Sequence, residues 1–157
     1  MSTRSKPDFL SPGDEIRIVS PASAVEGDYI DKTIQALQRL DYKISLGKHV
    51  RSVHHQFAGE DQERLEDMQA AFNDNNVKAI FCARGGYGSI RIADKIDLSA
   101  FRKNPKWIVG FSDITVFHSL LNCYLGVPSM HSPMPVNFSN PAFNMNLYQL
   151  NDLLQGT

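Results

Sequence analysis

Apolar residues follow two different periods along this chain. In some segments they run together or alternate with polar residues, and in others they return every three or four positions. The first pattern predicts β-strands and the second predicts amphipathic helices. The predicted strands span residues 16–20, 42–46, 79–83, 107–111 and 129–131. The predicted helices span residues 29–40, 61–72, 113–125 and 146–157, with a further short helix that ends at residue 94.

The order of these elements predicts the fold class. Strands alternate with helices, which favours an α/β domain with a mostly parallel sheet and helices on both faces. Residues 79–83 are continuously apolar, as expected for a strand that is covered on both faces. Binding and catalytic groups of such sheets collect beyond the carboxyl ends of the strands. Four polar side chains are expected at or near those ends, namely Ser20, Arg84, Ser112 and His131.

Composition and charge narrow the classes of function. The 157 residues carry a net charge of −1, so no basic surface indicates nucleic-acid binding. No apolar run approaches the roughly 20 residues of a membrane helix, and the first residues lack the apolar core of a signal peptide. Cys82 and Cys123 both lie in apolar runs, which predicts buried, reduced thiols and a cytoplasmic protein.

The apolar run of residues 107–111 leads directly into Ser112 and Asp113. A sharp strand-to-helix turn can present the Ser112 hydroxyl as a nucleophile and aim the backbone N–H of Asp113 at a developing oxyanion. The alternative is an ordinary helix N-cap, since Ser and Asp are both favoured there. The nucleophile pattern G-x-S-x-G is incomplete, because Ile114 stands in the place of the second glycine. Spacing alone leaves both interpretations of Ser112 open.

A glycine-rich loop, residues 84–89, follows the third predicted strand. Its glycines let the backbone approach a ligand closely, and successive N–H groups at a helix start can bind an anion. A tight strand-to-helix turn explains the same residues equally well. The loop lacks the third glycine of a dinucleotide fingerprint and the Gly-Lys-Ser/Thr of a phosphate loop. Arg84 either holds a carboxylate or phosphate ligand or is a solvated surface residue.

A general base for Ser112 is hard to find in the sequence. His118 lies six residues further along the same predicted helix, about 9 Å away along the axis and on a different face, so it is expected to pack within the helix layer. His131 can line the site, whereas His54 and His55 lie in a polar connection. No spacing of His, Cys or carboxylate residues is typical of a metal site, so neither a metal nor a cofactor is expected.

Three ordered motifs resemble the LD-carboxypeptidase family of serine peptidases, which includes the muramoyl-tetrapeptide carboxypeptidases and the microcin C self-immunity peptidases. They are the glycine-rich loop, residues 105–115 and residues 131–134, and residues 12–16 and 20–22 also match the family's opening strand. The resemblance implies that Ser112 is the nucleophile. It also implies an oxyanion hole formed by the N–H of Asp113 and a glycine N–H of the Gly85-Gly86 turn.

The resemblance further implies a Ser-Glu-His triad whose Glu and His lie in a separate C-terminal domain. No part of this chain corresponds to that domain. Residues 1–157 are therefore expected to be the N-terminal, nucleophile-bearing half of a family protein, and inactive in isolation. Ser132 stands where the family usually has a glycine, which leaves fine specificity open.

The residues and the resemblance together favour a flavodoxin-like or class I amidotransferase-like domain of a serine carboxypeptidase. The expected reaction is hydrolysis of the amide bond before a C-terminal D-amino acid of murein tetrapeptides, as part of peptidoglycan recycling. Arg84 and His131 are expected to contact the peptide substrate, and the resemblance implies a homodimer. The alternative is a non-catalytic α/β module that binds an anion or a peptide, in which Ser112 only caps its helix.

Overall fold

A computed structural model describes residues 6–138, 140 and 144–157. Its strands are β1 (Glu15–Val19), β2 (Lys43–Leu46), β3 (Val77–Cys82), β4 (Trp107–Gly110) and β5 (Met130–His131). Its α-helices are α1 (Tyr29–Gln38), α2 (Asp61–Asn73), α3 (Ile90–Ala93), α4 (Ser99–Lys103), α5 (Thr115–Leu125), α6 (Pro135–Phe138) and α7 (Asn144–Gln155). A 3-10 turn, Ser112–Ile114, joins β4 to α5.

The five described strands form one parallel sheet in the order β2-β1-β3-β4-β5. This is the flavodoxin-like strand order, in which the direction of winding reverses between β1 and β3. The predicted α/β class with a parallel sheet is therefore confirmed. Ligand sites of such sheets lie beyond the carboxyl ends of the strands, close to that reversal.

The register of the sheet brings the strand ends to one edge. Val19 of β1 is paired with Cys82 of β3, and Gly110 of β4 is paired with His131 of β5. Strands β3 and β4 are direct neighbours. The loops that follow these strands therefore leave the sheet side by side, and the residues predicted at the strand ends share one edge of the molecule.

Two apolar clusters cover the two faces of the sheet. Successive side chains of a strand point to opposite faces, so β3 contributes Ile80 and Cys82 to one cluster and Ala79 and Phe81 to the other. The first cluster packs against α2, α3, α4 and α5, and the second packs against α1, α6 and α7. Every residue of β4 is buried. The continuous apolar runs of these strands are explained by this double coverage.

Two predictions concern helix α5: its end at Gly126 is confirmed, and the burial of Cys123 is wrong. It ends at Gly126, whose φ of +67° gives the left-handed C-cap that favours glycine. Cys82 is fully buried as predicted, but Cys123 is exposed, because the inward stripe of α5 consists of Phe117 and Leu121.

Within the described ranges, every helix is too short or too polar to cross a lipid bilayer.

Candidate active site

The backbone at Ser112 turns sharply between β4 and α5. Phe111 is extended, with φ −147° and ψ −171°, and Ser112 then takes φ +59°. This left-handed conformation costs a residue with a Cβ atom about 1–2 kcal/mol and persists only where the surroundings hold it. The abrupt change of direction leaves Ser112 exposed at the end of the strand.

The side chain of Ser112 does not cap a helix. Phe111 occupies the N-cap position of the 3-10 turn and Ile114 occupies that of α5, and neither N-cap residue makes a side-chain cap hydrogen bond. The carbonyl of Ser112 accepts a hydrogen bond at 2.7 Å from the hydroxyl of Thr115. The backbone of Ser112 is thus engaged, while its side chain projects from the turn. The interpretation of Ser112 as a simple cap does not fit this geometry.

The glycine-rich loop lies directly against Ser112. A Cβ atom built on Gly85 would lie 3.0 Å from Cβ of Ser112, 3.2 Å from its Oγ and 3.3 Å from the backbone nitrogen of Asp113. Contacts this short are tighter than most Cβ contacts, so a side chain at position 85 would require Ser112 or the turn to shift by a few tenths of an ångström. The backbone of the loop and the start of the 3-10 turn converge on the Ser112 hydroxyl. Backbone N–H groups so placed can stabilise an oxyanion.

Ser23, in the loop after β1, holds the glycine turn from the other side. Its N–H donates to the carbonyl of Gly85 at 3.1 Å, and its Oγ accepts from the N–H of Tyr87 at 3.3 Å. Gly86 has φ +98°, and a Cβ there would lie 2.8 Å from Cβ of Ser23. The sequence gives no local signal for the role of Ser23, since this role depends on a partner more than sixty residues away.

The two predicted substrate contacts lie at the same edge of the sheet. Arg84 is exposed, and its Nη1 donates to the carbonyl of Ala24 at 3.0 Å. His131 is exposed at the end of β5, with its ring 6.1 Å from that of Phe111. Arg84 follows β3 and His131 ends β5, so the two residues flank the end of β4 that leads into Ser112.

His118 contacts the end of strand β4. Its Nε2 lies 2.9 Å from the carbonyl oxygen of Gly110, so this nitrogen is the donor. Burial lowers the pKa of His118 below its usual value, and the neighbouring His131 lowers it further. The imidazole is accordingly neutral near pH 7 and attaches α5 to the end of β4, which fits the predicted packing role.

The site presents backbone hydrogen-bond donors and a hydroxyl, but few side chains that bind a metal ion. Among residues 6–138, 140 and 144–157, no three His, Cys, Asp or Glu side chains come together in a way that could hold a metal ion. The groups that this edge of the sheet presents are the hydroxyl of Ser112 and the neighbouring backbone of the glycine-rich loop.

Known proteins share both the sequence and the fold. Residues 16–132 match the LD-carboxypeptidase N-terminal domain. The probable murein peptide carboxypeptidase of Bacillus subtilis (strain 168) is 40% identical over 133 residues, which are 85% of this chain and 42% of that protein. The murein tetrapeptide carboxypeptidase of Pseudomonas aeruginosa is 32% identical over 120 residues, or 76% of this chain and 39% of that protein.

Solved structures agree with these relatives. The MccF-like protein of Bacillus anthracis superposes with a TM-score of 0.88 at 27% identity, over 96% of this chain and 47% of that one. The muramoyltetrapeptide carboxypeptidase of Oxalobacter formigenes gives a TM-score of 0.75 at 28% identity, over 88% of this chain and 47% of that one. This chain spans less than half the length of these relatives. Because the match covers most of its own residues, the chain belongs to the LD-carboxypeptidase family, whose N-terminal domain corresponds to residues 16–132.

Proposed function

We propose that this chain supplies the nucleophile and the oxyanion hole of a serine LD-carboxypeptidase. The substrate would be a murein tetrapeptide, cleaved at the amide bond before its C-terminal D-amino acid. The observation that carries the proposal is the strained, exposed Ser112, which lies so close to the glycine turn that a side chain at position 85 would have to displace it. Family membership and the names of the murein peptide carboxypeptidases among the relatives support it.

In the proposed mechanism Oγ of Ser112 attacks the carbonyl carbon and loses its proton to a general base. The electron pair of the carbonyl π-bond moves to oxygen, and the N–H of Asp113 with that of Gly85 or Gly86 stabilises the oxyanion. Collapse breaks the C–N bond, and the departing amine takes the proton from the base. Water then hydrolyses the acyl-enzyme by the same steps. Each backbone donor of this kind is worth about 10²–10³ in rate.

The general base is proposed to come from outside this chain. His118, the nearest histidine along the chain, already donates to the carbonyl of Gly110. The resemblance implies a Glu and a His in a second domain, and the relatives are more than twice as long as the region they share with this chain. The chain would then form one half of a composite active site.

Arg84 and His131 are proposed as substrate-binding residues. A guanidinium can form a paired, charge-assisted hydrogen bond with the free carboxylate that defines a C-terminal residue. Arg84 is exposed beside the glycine turn, where such a carboxylate would lie once the scissile carbonyl meets Ser112. His131, at the end of β5, would contact the peptide from the opposite side of the turn.

Cytoplasmic location and a homodimeric state are further proposals. Two unpaired cysteines are typical of a reducing compartment, and peptidoglycan recycling would supply the substrate there. Sedimentation of the purified protein tests the dimer, and a monomer at high concentration would contradict it.

The test of the nucleophile is labelling of the complete gene product with a fluorophosphonate, followed by peptide mass spectrometry. Label is expected on Ser112, and Ser112→Ala is expected to abolish both labelling and release of the terminal D-amino acid. The control is Ser119→Ala, since Ser119 is an exposed serine on α5. Absence of label on Ser112 in the wild-type protein would refute the proposal and favour the binding module.

The test of the composite site uses residues 1–157 alone. They are expected to hydrolyse a murein tetrapeptide at least about 10³-fold more slowly than the Pseudomonas aeruginosa relative, because a serine without its base retains only the contribution of binding and the oxyanion hole. Comparable turnover would show that the base lies within this chain.

A further inference from the structure

Arg64 is a buried cation in the first turn of α2. It is 1% exposed, among the least accessible side chains of the domain. A buried guanidinium is costly unless its N–H groups find partners, and among the described residues both Nη atoms of Arg64 find them while its Nε does not. Burial lowers the pKa of Arg64, and the adjacent carboxylate of Asp61 opposes that shift. The partners of Arg64 therefore show what the chain gains from placing it there.

The guanidinium of Arg64 joins two loops at the carboxyl edge of the sheet. Nη1 donates to the carbonyl of Pro21 at 2.7 Å and to the carbonyl of Gly88 at 3.0 Å. Nη2 donates to the carboxylate of Asp61, and the group lies 5.0 Å from the ring of Phe57. The planar fork of arginine suits several fixed acceptors at once. One side chain thus connects the loop after β1 with the glycine-rich loop after β3.

The glycine-rich loop is also shaped to accept this contact. Gly88 has φ +134°, and a Cβ atom there would lie 2.7 Å from Nη1 of Arg64. The residue after it, Ser89, donates its N–H to the carboxylate of Asp113 at 2.9 Å. At the other end of the same loop, Gly85 lies against Ser112. A shift of Gly88 would therefore move the backbone that faces the nucleophile.

We propose that Arg64 is a positioning residue. It holds the glycine-rich loop in the position from which the backbone N–H groups of the loop can donate hydrogen bonds to the oxyanion formed at Ser112. Arg64 does not touch the reacting atoms in this assignment and acts through the carbonyl of Gly88. The inference rests on the proposed function for its catalytic consequence, whereas the loop geometry can be measured independently of any activity. A purely stabilising role predicts a different outcome, since it would lower the melting temperature without changing the folded protein.

The experiment compares Arg64→Met and Arg64→Lys with wild type in the complete gene product, well below the melting temperature of each. Arg51→Met is the matched control, because Arg51 is an exposed arginine paired with Asp31 at 2.6 Å. Two quantities are measured in the folded protein. One is the rate of fluorophosphonate labelling at Ser112. The other is the rate of hydrogen exchange at two backbone amides, that of Tyr87, which donates to Oγ of Ser23, and that of Ser89, which donates to the carboxylate of Asp113.

Arg64→Met is expected to slow labelling at least about tenfold, since small misplacements at a reacting centre have large effects on rate. It should speed exchange at Tyr87 and Ser89 while the amides of β3 stay protected. Arg64→Lys keeps the positive charge but loses the planar guanidinium, so its labelling rate and its exchange rates should lie between those of wild type and Arg64→Met. If Arg64→Met does not fold, the comparison of Arg64→Lys with wild type tests the inference. Wild-type labelling and wild-type exchange in a folded Arg64 variant would overturn the inference. If wild-type Ser112 takes no label, the proposed function fails, and the exchange measurement still decides whether Arg64 positions the loop.

Discussion

The carboxylate of Asp113 accepts a hydrogen bond at 2.9 Å from the backbone N–H of Ser89, so the residue after Ser112 holds the glycine-rich loop in place. Asp113 therefore has two separable functions in the proposed site. Its N–H is part of the backbone and is unaffected by substitution of the side chain. Its carboxylate connects the 3-10 turn to the glycine-rich loop and fixes the distance between the two sets of donors.

The first prediction separates these two functions. Asp113→Ala leaves the N–H of Ser89 without an acceptor, so the free energy of unfolding should fall by about 1 kcal/mol and labelling of Ser112 should slow. Asp113→Asn retains a side-chain oxygen as acceptor and should keep most of both. Urea denaturation and labelling rates are the measurements. Equal behaviour of the Ala and Asn variants would show that the bond does not hold the loop.

The second prediction concerns the close approach of Gly85 to Ser112. Gly85→Ala places a Cβ atom about 3 Å from the side chain of Ser112, so the turn must move away. Labelling is expected to fall by about 10²-fold, because the donors no longer reach the oxyanion. Gly27→Ala is the control: nothing lies within 4 Å of its Cβ position, so it should cost stability through its φ of +68° but leave labelling unchanged. Retained labelling in Gly85→Ala would exclude this turn from the oxyanion hole.

Most of the fold could be predicted from the sequence, because in long segments the spacing of apolar residues distinguishes a strand from a helix. The five strands and the longer helices lie within about two residues of their predicted bounds. The short helices α4 and α6 were missed, since four or five residues are too few to show a period. Pro135 opens α6, where its fixed φ suits the first turn of a helix.

The candidate site could be predicted only in part. Ser112 and Gly85 could be proposed from the sequence because both lie in recognisable local motifs, and the structure places them in contact with each other. Arg64 was missed, since a charged residue on a helix ordinarily faces solvent and its partner Pro21 lies 43 residues away. The exposure of Cys123 was missed for the related reason that an apolar run does not show which side of a helix faces the core.

The third prediction isolates the strain at Ser112. Glycine has no Cβ atom and adopts left-handed φ values without steric strain. Alanine has a Cβ atom and is therefore destabilised in this conformation to the same extent as serine. Ser112→Gly is therefore expected to exceed Ser112→Ala in free energy of unfolding by about 1 kcal/mol, although neither variant takes label. Chemical denaturation of both variants measures the difference. If the alanine variant is as stable as the glycine variant, the φ of +59° is not a strained conformation in solution.

Lys106, at the opposite edge of the sheet from Ser112, is fully buried just before β4. Its Nζ donates to the carbonyl of Asn104 at 3.2 Å. Burial lowers the pKa of Lys106 from 10.5 to about 8; Asp74 opposes the shift, while Lys78 and Arg17 add to it. The folded chain consequently releases this proton at a lower pH than the unfolded chain does.

The fourth prediction follows from that difference in proton binding. Between pH 8 and 10.5 the unfolded chain keeps the proton of Lys106 and the folded chain has lost it, so the contribution of this residue to the free energy of unfolding rises with pH. Other groups also differ in protonation between the two states in this range, including the thiol of Cys82, because burial raises its pKa and keeps it protonated in the folded chain while it ionises in the unfolded chain. The measurement is therefore the wild-type free energy of unfolding minus that of Lys106→Met, which keeps the length of the side chain. This difference should climb from pH 8 to 10.5 and be level below pH 8, because there both states hold the proton. Parallel pH profiles for the two proteins would show that Lys106 keeps its ordinary pKa in the folded chain.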